Sequence, residues 1–187
     1  MKLYIENKFS KIGFKQKGFT LVEAMVAISI LSMSITGPLL IAQKGIGSAI
    51  YARDQITAFY LAQEAVEYIR NIRDTNRIAE LGWLTNLDNC VGGKVCRIDG
   101  THLDPVGNTV DCSGDNLAGA CKPLWLNNTT KLYGYDESGA TKSLFTRSIS
   151  ITNDADKSAR IQVTISWTTK LFTPIRSFSI QEYIFNF

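Results

Sequence analysis

The sequence has few of the residues and motifs on which enzyme mechanisms depend. It contains one histidine, His102, and no G-x-S-x-G elbow, P-loop or H-E-x-x-H motif. Its four cysteines form no C-x-x-C pair, and a single imidazole would supply at most one zinc ligand. We therefore expect no catalytic activity and no cofactor or metal, with a zinc site as the rival interpretation of the cysteines.

An excess of positive charge is also missing once residues 1–18 are set apart. The chain has 20 Lys+Arg and 17 Asp+Glu, a formal net charge of +3. Removing the five lysines and one glutamate of residues 1–18 leaves 15 basic and 16 acidic residues. No cluster of basic residues interleaved with aromatics follows, so nucleic-acid binding is not predicted.

A long apolar run follows this basic segment. From Phe19 to Ala42 the only charged residue is Glu23. A helix of this length can cross a hydrocarbon core of roughly 30 Å. An ionised carboxylate inside a membrane helix costs about 2.5 to 3.5 kcal/mol on insertion scales, so such a residue usually has a partner and a function. No Lys or Arg lies within four residues on its C-terminal side.

The segment Lys17-Gly18-Phe19-Thr20-Leu21-Val22-Glu23 resembles the prepilin signature of type IV pilins, secretion pseudopilins and DNA-uptake pilins. The strong resemblance covers about residues 15–74. It implies that a prepilin peptidase, which is also the N-methyltransferase, cuts between Gly18 and Phe19 and that Phe19 is then methylated. It also implies that Glu23 faces the N-terminal amine of a neighbouring subunit, and that an inner-membrane platform assembles the subunits.

The chemistry of the motif agrees with the resemblance. Cleavage would create an amine with a reference pKa near 7.7 to 8.0 at the start of a membrane helix. Two unpaired charges in lipid are each costly, and a neighbouring subunit could satisfy both by bringing Glu23 to that amine. Glycine before the cut lets a protease approach the backbone closely, because it has no Cβ.

Other interpretations of the N-terminus remain open. A secretory signal peptide could be cut near Gly47-Ser48-Ala49, and a plain signal anchor would explain the length and the basic flank. Neither explains Glu23. By the positive-inside tendency the leader stays cytoplasmic and the rest lies outside the inner membrane, later in an extracellular or periplasmic filament. A permanently anchored extracytoplasmic binding domain is the alternative of a different class.

We expect an α+β fold, with one long helix packed on a small C-terminal antiparallel sheet, as in pilins. The expected parts are a leader (1–18), a membrane-spanning and filament-core segment (19–47) and an extracytoplasmic globular region (48–187). The last comprises an amphipathic helix over 48–74, a variable region over 75–142 and a β-meander over 143–187.

The helix should be about 80 Å long at about 1.5 Å per residue. Gly37-Pro38 predicts a kink or a locally melted segment. Beyond it, apolar residues recur at spacings of three and four, which predicts one buried face: Ala58, Leu61, Ala62, Ala65, Val66, Ile69 and Ile72. The charged residues on the other face are interpreted as solvated: Arg53, Asp54, Glu64, Glu67, Arg70, Arg73 and Asp74. Among them, Arg70 is predicted to form surface pairs with Glu67 and with Asp74.

The variable region contains all four cysteines, which predict two disulfides in an exported chain. Of three connectivities, Cys90 with Cys96 and Cys112 with Cys121 is the most local. The turn at Asn153, Asp154 and Asp156 offers oxygen ligands for calcium, although a polar hairpin explains it equally well.

Three strands are predicted in the last 45 residues. Their alternating residues are Phe145, Arg147, Ile149 and Ile151, then Ile161, Val163, Ile165 and Trp167, then Phe178, Ile180, Tyr183, Phe185 and Phe187. The phase of the third set slips near Glu182, which predicts a bulge or a strand end.

The kind of filament remains open among a pilus, a type II secretion pseudopilus and a DNA-uptake pilus. The irregular insert suggests a minor subunit. The segment Ala62-Gln63-Glu64-Ala65-Val66-Glu67 resembles the pilin V and pseudopilin I types.

Overall fold

A computed structural model describes residues 18–101, 109–112, 121–155, 157–169 and 172–186. The chain divides into two compact units, Met1–Ala49 and Ile50–Phe187. We call the second unit the head. The fold is α+β, as expected: one long N-terminal apolar helix and a C-terminal antiparallel sheet.

Helix α1 runs from Leu21 to Ile78. Thr20 precedes it as the N-cap, since its Oγ1 accepts a hydrogen bond from the backbone N–H of Glu23 at 3.3 Å. At the other end, Glu80 has a φ of 57° and the N–H of Leu81 donates to the carbonyl of Asn76 at 2.8 Å. This left-handed residue and closing bond are typical of a helix C-terminus.

The helix continues through Pro38, so the locally melted segment predicted at Gly37-Pro38 is absent from this state of the chain. Polar side chains on either side of that point satisfy themselves within the helix. The hydroxyls of Ser29, Ser32 and Thr36 each donate to the carbonyl four residues earlier, at 2.8 Å. Such bonds remove the need for solvent or a partner in an apolar environment.

Among the described residues, the sheet has seven strands. They are β1 (Cys96–Ile98), β2 (Thr109–Asp111), β3 (Pro123–Asn127), β4 (Tyr133–Gly134), β5 (Ala140–Ala155), β6 (Ser158–Thr169) and β7 (Phe172–Phe185). The long central strand β5 pairs with β6 on one edge and with β1 and β3 on the other, and β7 pairs with β6. All these pairings are antiparallel. The three predicted strands of the meander are β5, β6 and β7, and the four short strands come from the region predicted as irregular.

Within the head, the part of α1 from Ile50 onward packs on the inner face of this sheet. Every residue of the predicted buried face is in the core, as are the inward residues of β5 and β6: Ala58, Leu61, Ala62, Ala65, Val66, Ile69, Ile72, Phe145, Arg147, Ile149, Ile151, Ile161, Val163, Ile165 and Trp167. The helical and strand periods therefore predicted both faces of the core correctly.

The bulge or strand end predicted near Glu182 in the third strand is wrong. The register between β6 and β7 is unbroken from the Ser158 and Phe185 pair to the Trp167 and Arg176 pair. Glu182 keeps its place on the inner face because Arg70 of α1 pairs with it there. Tyr183 and Phe185 consequently face outward and are exposed, while Ile184 is buried. Phe187, also in the predicted set, lies outside the described residues.

Two disulfides join the short strands to their surroundings. Cys90 is bonded to Cys96 and Cys112 to Cys121, with Cα atoms 4.9 and 4.8 Å apart. All four residues are buried. The first bridge ties the segment after α1 to the start of β1, and the second lies between β2 and β3, on either side of residues that are not described.

Candidate functional site

The start of α1 presents the motif residues in an open setting. Phe19 is exposed, and a Cβ added at Gly18 would meet nothing within 4 Å. Glu23 is exposed at the third helical position, three residues after its cap. Thr20 and Glu23 therefore have the spacing of a capping box, in which a Thr or Ser cap is followed three residues later by Glu or Gln.

The helix that follows is long and apolar enough to cross a membrane, judged by length and composition. None of its most apolar window is buried in the chain itself. The exposed large apolar side chains of this part are Leu21, Val22, Met25, Val26, Ile28, Ile30, Leu31, Met33, Ile35, Leu39, Leu40 and Ile41. A surface so uniformly apolar needs lipid or other protein around it.

A family model described as the prokaryotic N-terminal methylation motif matches residues 13–37. The chain carries the type IV pilin and pseudopilin signature. Comparison with curated proteins and with solved structures gave no match. The signature indicates a pilin-like precursor and a structural role, and it implies in general terms assembly with other pilin subunits and a prepilin peptidase. The apolar helix is consistent with membrane anchoring.

The head of this pilin-like chain contains a buried arginine. Arg147, on the inner face of β5, is 1% exposed. Its Nη1 donates to Glu64 Oε2 at 3.0 Å and to the carbonyl of Leu61 at 3.2 Å, and its Nη2 donates to the carbonyl of Ile98 at 2.6 Å. One guanidinium thus joins α1, β1 and β5. A buried charge of this kind is stable only when it is paired and hydrogen-bonded.

Further polar residues pack around Arg147. The guanidinium of Arg97 lies over the ring of Tyr135, 5.0 Å from its centroid. Burial raises the pKa of the Tyr135 phenol above its usual value, and Asp99 adds to this, while Arg147 and Arg97 oppose it. The Tyr135 phenol is therefore neutral at physiological pH, and the cluster joins the short strands to the helix through charge and aromatic contacts.

The charged face of α1 differs from its predicted role in three places. Asp54 is buried, and Glu64 pairs with the buried Arg147, so neither is merely solvated. The predicted pair of Glu67 and Arg70 is present, with 2.6 Å between Oε1 and Nη1. The predicted pair of Arg70 and Asp74 is replaced. Arg70 also pairs with Glu182, and Asp74 pairs with Arg73 at 2.8 Å.

An apolar patch on the head was not predicted. Ile56, Phe59 and Tyr60 are exposed on α1 and meet Phe178 of β7 around a groove of about 460 Å³. The rings of Phe59 and Phe178 contact edge to face, with centroids 5.9 Å apart. The sequence contained the signal, because Ile56, Phe59 and Tyr60 have helical spacing but lie out of phase with the buried face.

The predicted calcium turn is only partly described. Asp154 forms an ion pair with the guanidinium of Arg160, at a distance of 4.0 Å. Asp156 lies outside the described residues. Among the residues that the structure describes, no group of three His, Cys, Asp or Glu side chains could hold a metal. His102 is likewise outside the described residues.

Proposed function

We propose that this chain is a minor structural subunit of a type IV pilus-like filament. It is exported as a prepilin through the inner membrane, cleaved between Gly18 and Phe19 and N-methylated on Phe19. Its helix then packs with those of its neighbours, and Glu23 pairs with the N-terminal amine of another subunit. The observation that carries this proposal is Glu23, the single carboxylate in the exposed apolar segment from Phe19 to Ala42, which lies within the matched methylation motif.

The proposed parts follow from the processing. Residues 1–18 are the leader, 19–47 anchor the subunit and later form the filament core, and 48–187 lie outside the membrane. The exposed apolar side chains of the first part favour a filament, because they exchange lipid for neighbouring helices when a subunit leaves the bilayer. The apolar groove of the head at Ile56 and Tyr60 offers a further place for subunit contact.

Two related functions remain as alternatives, namely a pseudopilin of a type II secretion system and a subunit of a DNA-uptake pilus. A permanently anchored extracytoplasmic binding domain is the alternative of another class. Mass spectrometry of the mature protein separates it from the proposal. A chain that begins at N-methylated Phe19 supports processing, whereas an intact Met1 in cells with an active prepilin peptidase refutes it.

A matched pair of substitutions tests the role of Glu23, because its capping position offers a second explanation. Glu23→Gln keeps a residue that serves at the third position of a capping box but removes the charge. Thr20→Ala removes the cap, at a cost of about 1 kcal/mol, and keeps the charge. We expect Glu23→Gln to be inserted and cleaved but to fail in filament assembly, while Thr20→Ala assembles. Normal filaments from Glu23→Gln would refute the pairing role.

A further inference from the structure

Strand β7 forms a long open edge of the sheet. It pairs with β6 on one side, and no other strand among the described residues pairs with its far side. The other edge strands, β2 and β4, have only three and two residues, whereas β7 has 14. A long edge strand presents a row of N–H and C=O groups with which another chain can pair.

The usual protection of such an edge is missing from β7. Proteins protect edge strands with lysine, proline, a bulge or an inward-pointing charge. From residue 176 to residue 185 there is no lysine, no proline and no break in the register with β6. The two charges of this stretch are engaged by α1, because Glu182 pairs with Arg70 and the Arg176 guanidinium lies over the ring of Tyr51. The edge is therefore open to a further strand.

The backbone groups of alternate β7 residues point away from the sheet. The N–H of Asn186 donates to the carbonyl of Lys157, next to β6, at 2.9 Å. Successive residues of an antiparallel strand alternate in the direction of their hydrogen bonds, so the even-numbered residues 176–184 also bond to β6. The odd-numbered residues consequently direct their N–H and C=O groups outward, and all four are exposed: Ser177, Ser179, Gln181 and Tyr183.

The apolar surface of α1 extends beyond this edge. Helix α1 runs alongside β7 in the same direction, since Phe59 contacts Phe178 and Arg70, further along α1, pairs with Glu182. The apolar groove of about 460 Å³ at Ile56 lies along this boundary. One added strand would pair with the outward backbone groups and cover the groove with its inward side chains. Main-chain pairing together with pockets for alternate side chains is how proteins recognise an added strand.

The charges along the same boundary specify one end of the added strand. A second groove, of about 540 Å³, lies further along between α1 and β7. On its wall, Glu67 and Asp74 have more exposed side chains than their partners Arg70 and Arg73. With Glu182, which also pairs with Arg70, three carboxylates face two guanidinium groups. Charge complementarity therefore favours a strand with a basic side chain at this end and apolar side chains at the other.

The direction of the chains excludes a second copy paired through the same edge. Antiparallel pairing of two β7 strands would also reverse residues 50–78 of α1, whereas the subunits of one filament or one membrane share a direction. Parallel pairing would turn the second sheet over, so that its polar outer side chains, such as Ser179, met the apolar groove. The other edges of this chain, β2 and β4, are too short to supply a strand.

We propose that β7 accepts an extended strand from a different subunit of the filament, with apolar side chains over the groove at Ile56 and Phe178 and a basic side chain beside Glu182. The choice of this partner rests on the proposed function. The added strand runs antiparallel to β7, which is the more stable pairing. It would hold neighbouring heads together independently of the pair between Glu23 and the N-terminal amine.

The first test measures, by fluorescence anisotropy, the binding of a labelled peptide to the full chain in a zwitterionic detergent. The peptide Lys-Thr-Lys-Thr-Val-Thr-Ile-Thr-Phe has its basic and apolar side chains on one face and its threonines on the other. We expect it to bind, and we expect weaker binding when glutamate replaces both lysines. N-methylation of the valine and isoleucine should leave binding intact, because their N–H groups face away from β7. N-methylation of the two central threonines should weaken it about tenfold or more, because their N–H groups face β7.

A matched pair of variants tests the edge of the chain itself. Ser179→Pro removes an outward N–H but no hydrogen bond to β6, a position at which edge strands tolerate proline. Ser179→Ala keeps that N–H. We expect Ser179→Pro to weaken peptide binding about tenfold or more, and Ser179→Ala to bind like the parent chain. The urea midpoint of each variant checks that the head is folded, and the N-methylated peptides test the parent chain without any substitution.

The proposal is overturned if the parent chain does not bind the peptide, if the two N-methylated peptides bind alike, or if folded Ser179→Pro binds like the parent. It is also overturned if the parent forms dimers in analytical ultracentrifugation that Ser179→Pro abolishes, since the occupant would then be a second copy. Electron microscopy separates these results from a failure of the proposed function. Absence of the parent chain from filaments refutes the filament function, whereas equal incorporation of Ser179→Pro and the parent refutes the strand contact alone.

Discussion

The ion pair between Glu64 and Arg147 gives the most direct test of how the head is held together. Arg147 is 1% exposed, whereas the side chain of Glu64 is 41% exposed. Glu64→Gln is the informative change, because glutamine has a similar helix propensity and size and can still accept a hydrogen bond. The substitution therefore removes the negative charge opposite a buried guanidinium and little else.

The expected cost follows from the burial of the two partners. Breaking a fully buried pair costs about 3 to 5 kcal/mol, and an exposed pair contributes about 0 to 1 kcal/mol. This pair is buried on one side only and keeps the hydrogen bonds of Arg147 to the carbonyls of Leu61 and Ile98. We expect Glu64→Gln to lower the free energy of unfolding by about 1 to 2 kcal/mol, which is about 3 to 6 °C in Tm for a unit of this size.

The assay is urea unfolding of the full chain in detergent, followed by tryptophan fluorescence. All three tryptophans, Trp83, Trp125 and Trp167, lie in the head, so the signal reports on that unit. The unfolding midpoint should fall while the slope stays constant.

Glu67→Gln is the matched control. Glu67 pairs with Arg70 on the same helix, but both side chains are substantially exposed. Its loss should cost less than about 0.5 kcal/mol. Glu64→Gln should also have an effect below about 0.5 kcal/mol in an Arg147→Met background, where Glu64 no longer faces a buried guanidinium. Equal effects of Glu64→Gln in the two backgrounds would refute the reasoning.

Three further predictions concern other parts of the head. Asn76→Ala should destabilise it by about 1 to 2 kcal/mol in the same urea assay, because Asn76 Nδ2 donates to the carbonyl of Thr85 at 2.7 Å beside the end of α1. The pKa of Tyr135 is higher in the folded than in the unfolded chain, where it is about 10. Its contribution to stability is therefore complete below the unfolded pKa and is lost as the pH rises through the folded pKa. Tyr135→Phe should consequently flatten the fall of the unfolding midpoint at alkaline pH. Ile56→Lys should reduce filament assembly, scored by electron microscopy, without changing the unfolding midpoint. The control Gln63→Lys, also exposed on α1, should change neither assembly nor the midpoint. Normal assembly of Ile56→Lys would exclude the apolar groove as a subunit contact.

The sequence predicted the core of the head well because periodicity encodes orientation. Spacings of three and four placed residues such as Leu61 and Ile69 on one face of a helix, and alternation placed Ile161 and Val163 on one face of a strand. Even Arg147 was placed correctly on the inner face by its position in the alternating set. The four short strands were not predicted, because strands of two to five residues are too short to show a period.

The roles of charged residues were harder to predict, since they depend on which residues of another helix or strand lie next to them. Glu182 appeared to break the pattern of its strand, but Arg70 on α1 meets it and the strand continues. Glu64 appeared solvated on its helix, but Arg147 approaches it from β5. In both cases the local pattern contained one charge, and the partner lay far away in the sequence.

The same reasoning separates Arg147 from Glu23. Each is a single charge in an apolar pattern, and the Nη1 and Nη2 groups of Arg147 are paired within its own chain with Glu64 and two carbonyl groups. No ion pair among the described residues includes Glu23, and its nearby Thr20 Oγ1 contacts the Glu23 backbone rather than its carboxylate. Cleavage after Gly18 would remove the leader lysines and create an amine at Phe19. In a mature apolar helix that amine is the nearest available cation, and a subunit shifted along a filament can present it to Glu23 of its neighbour. This charge pair would link processing to assembly.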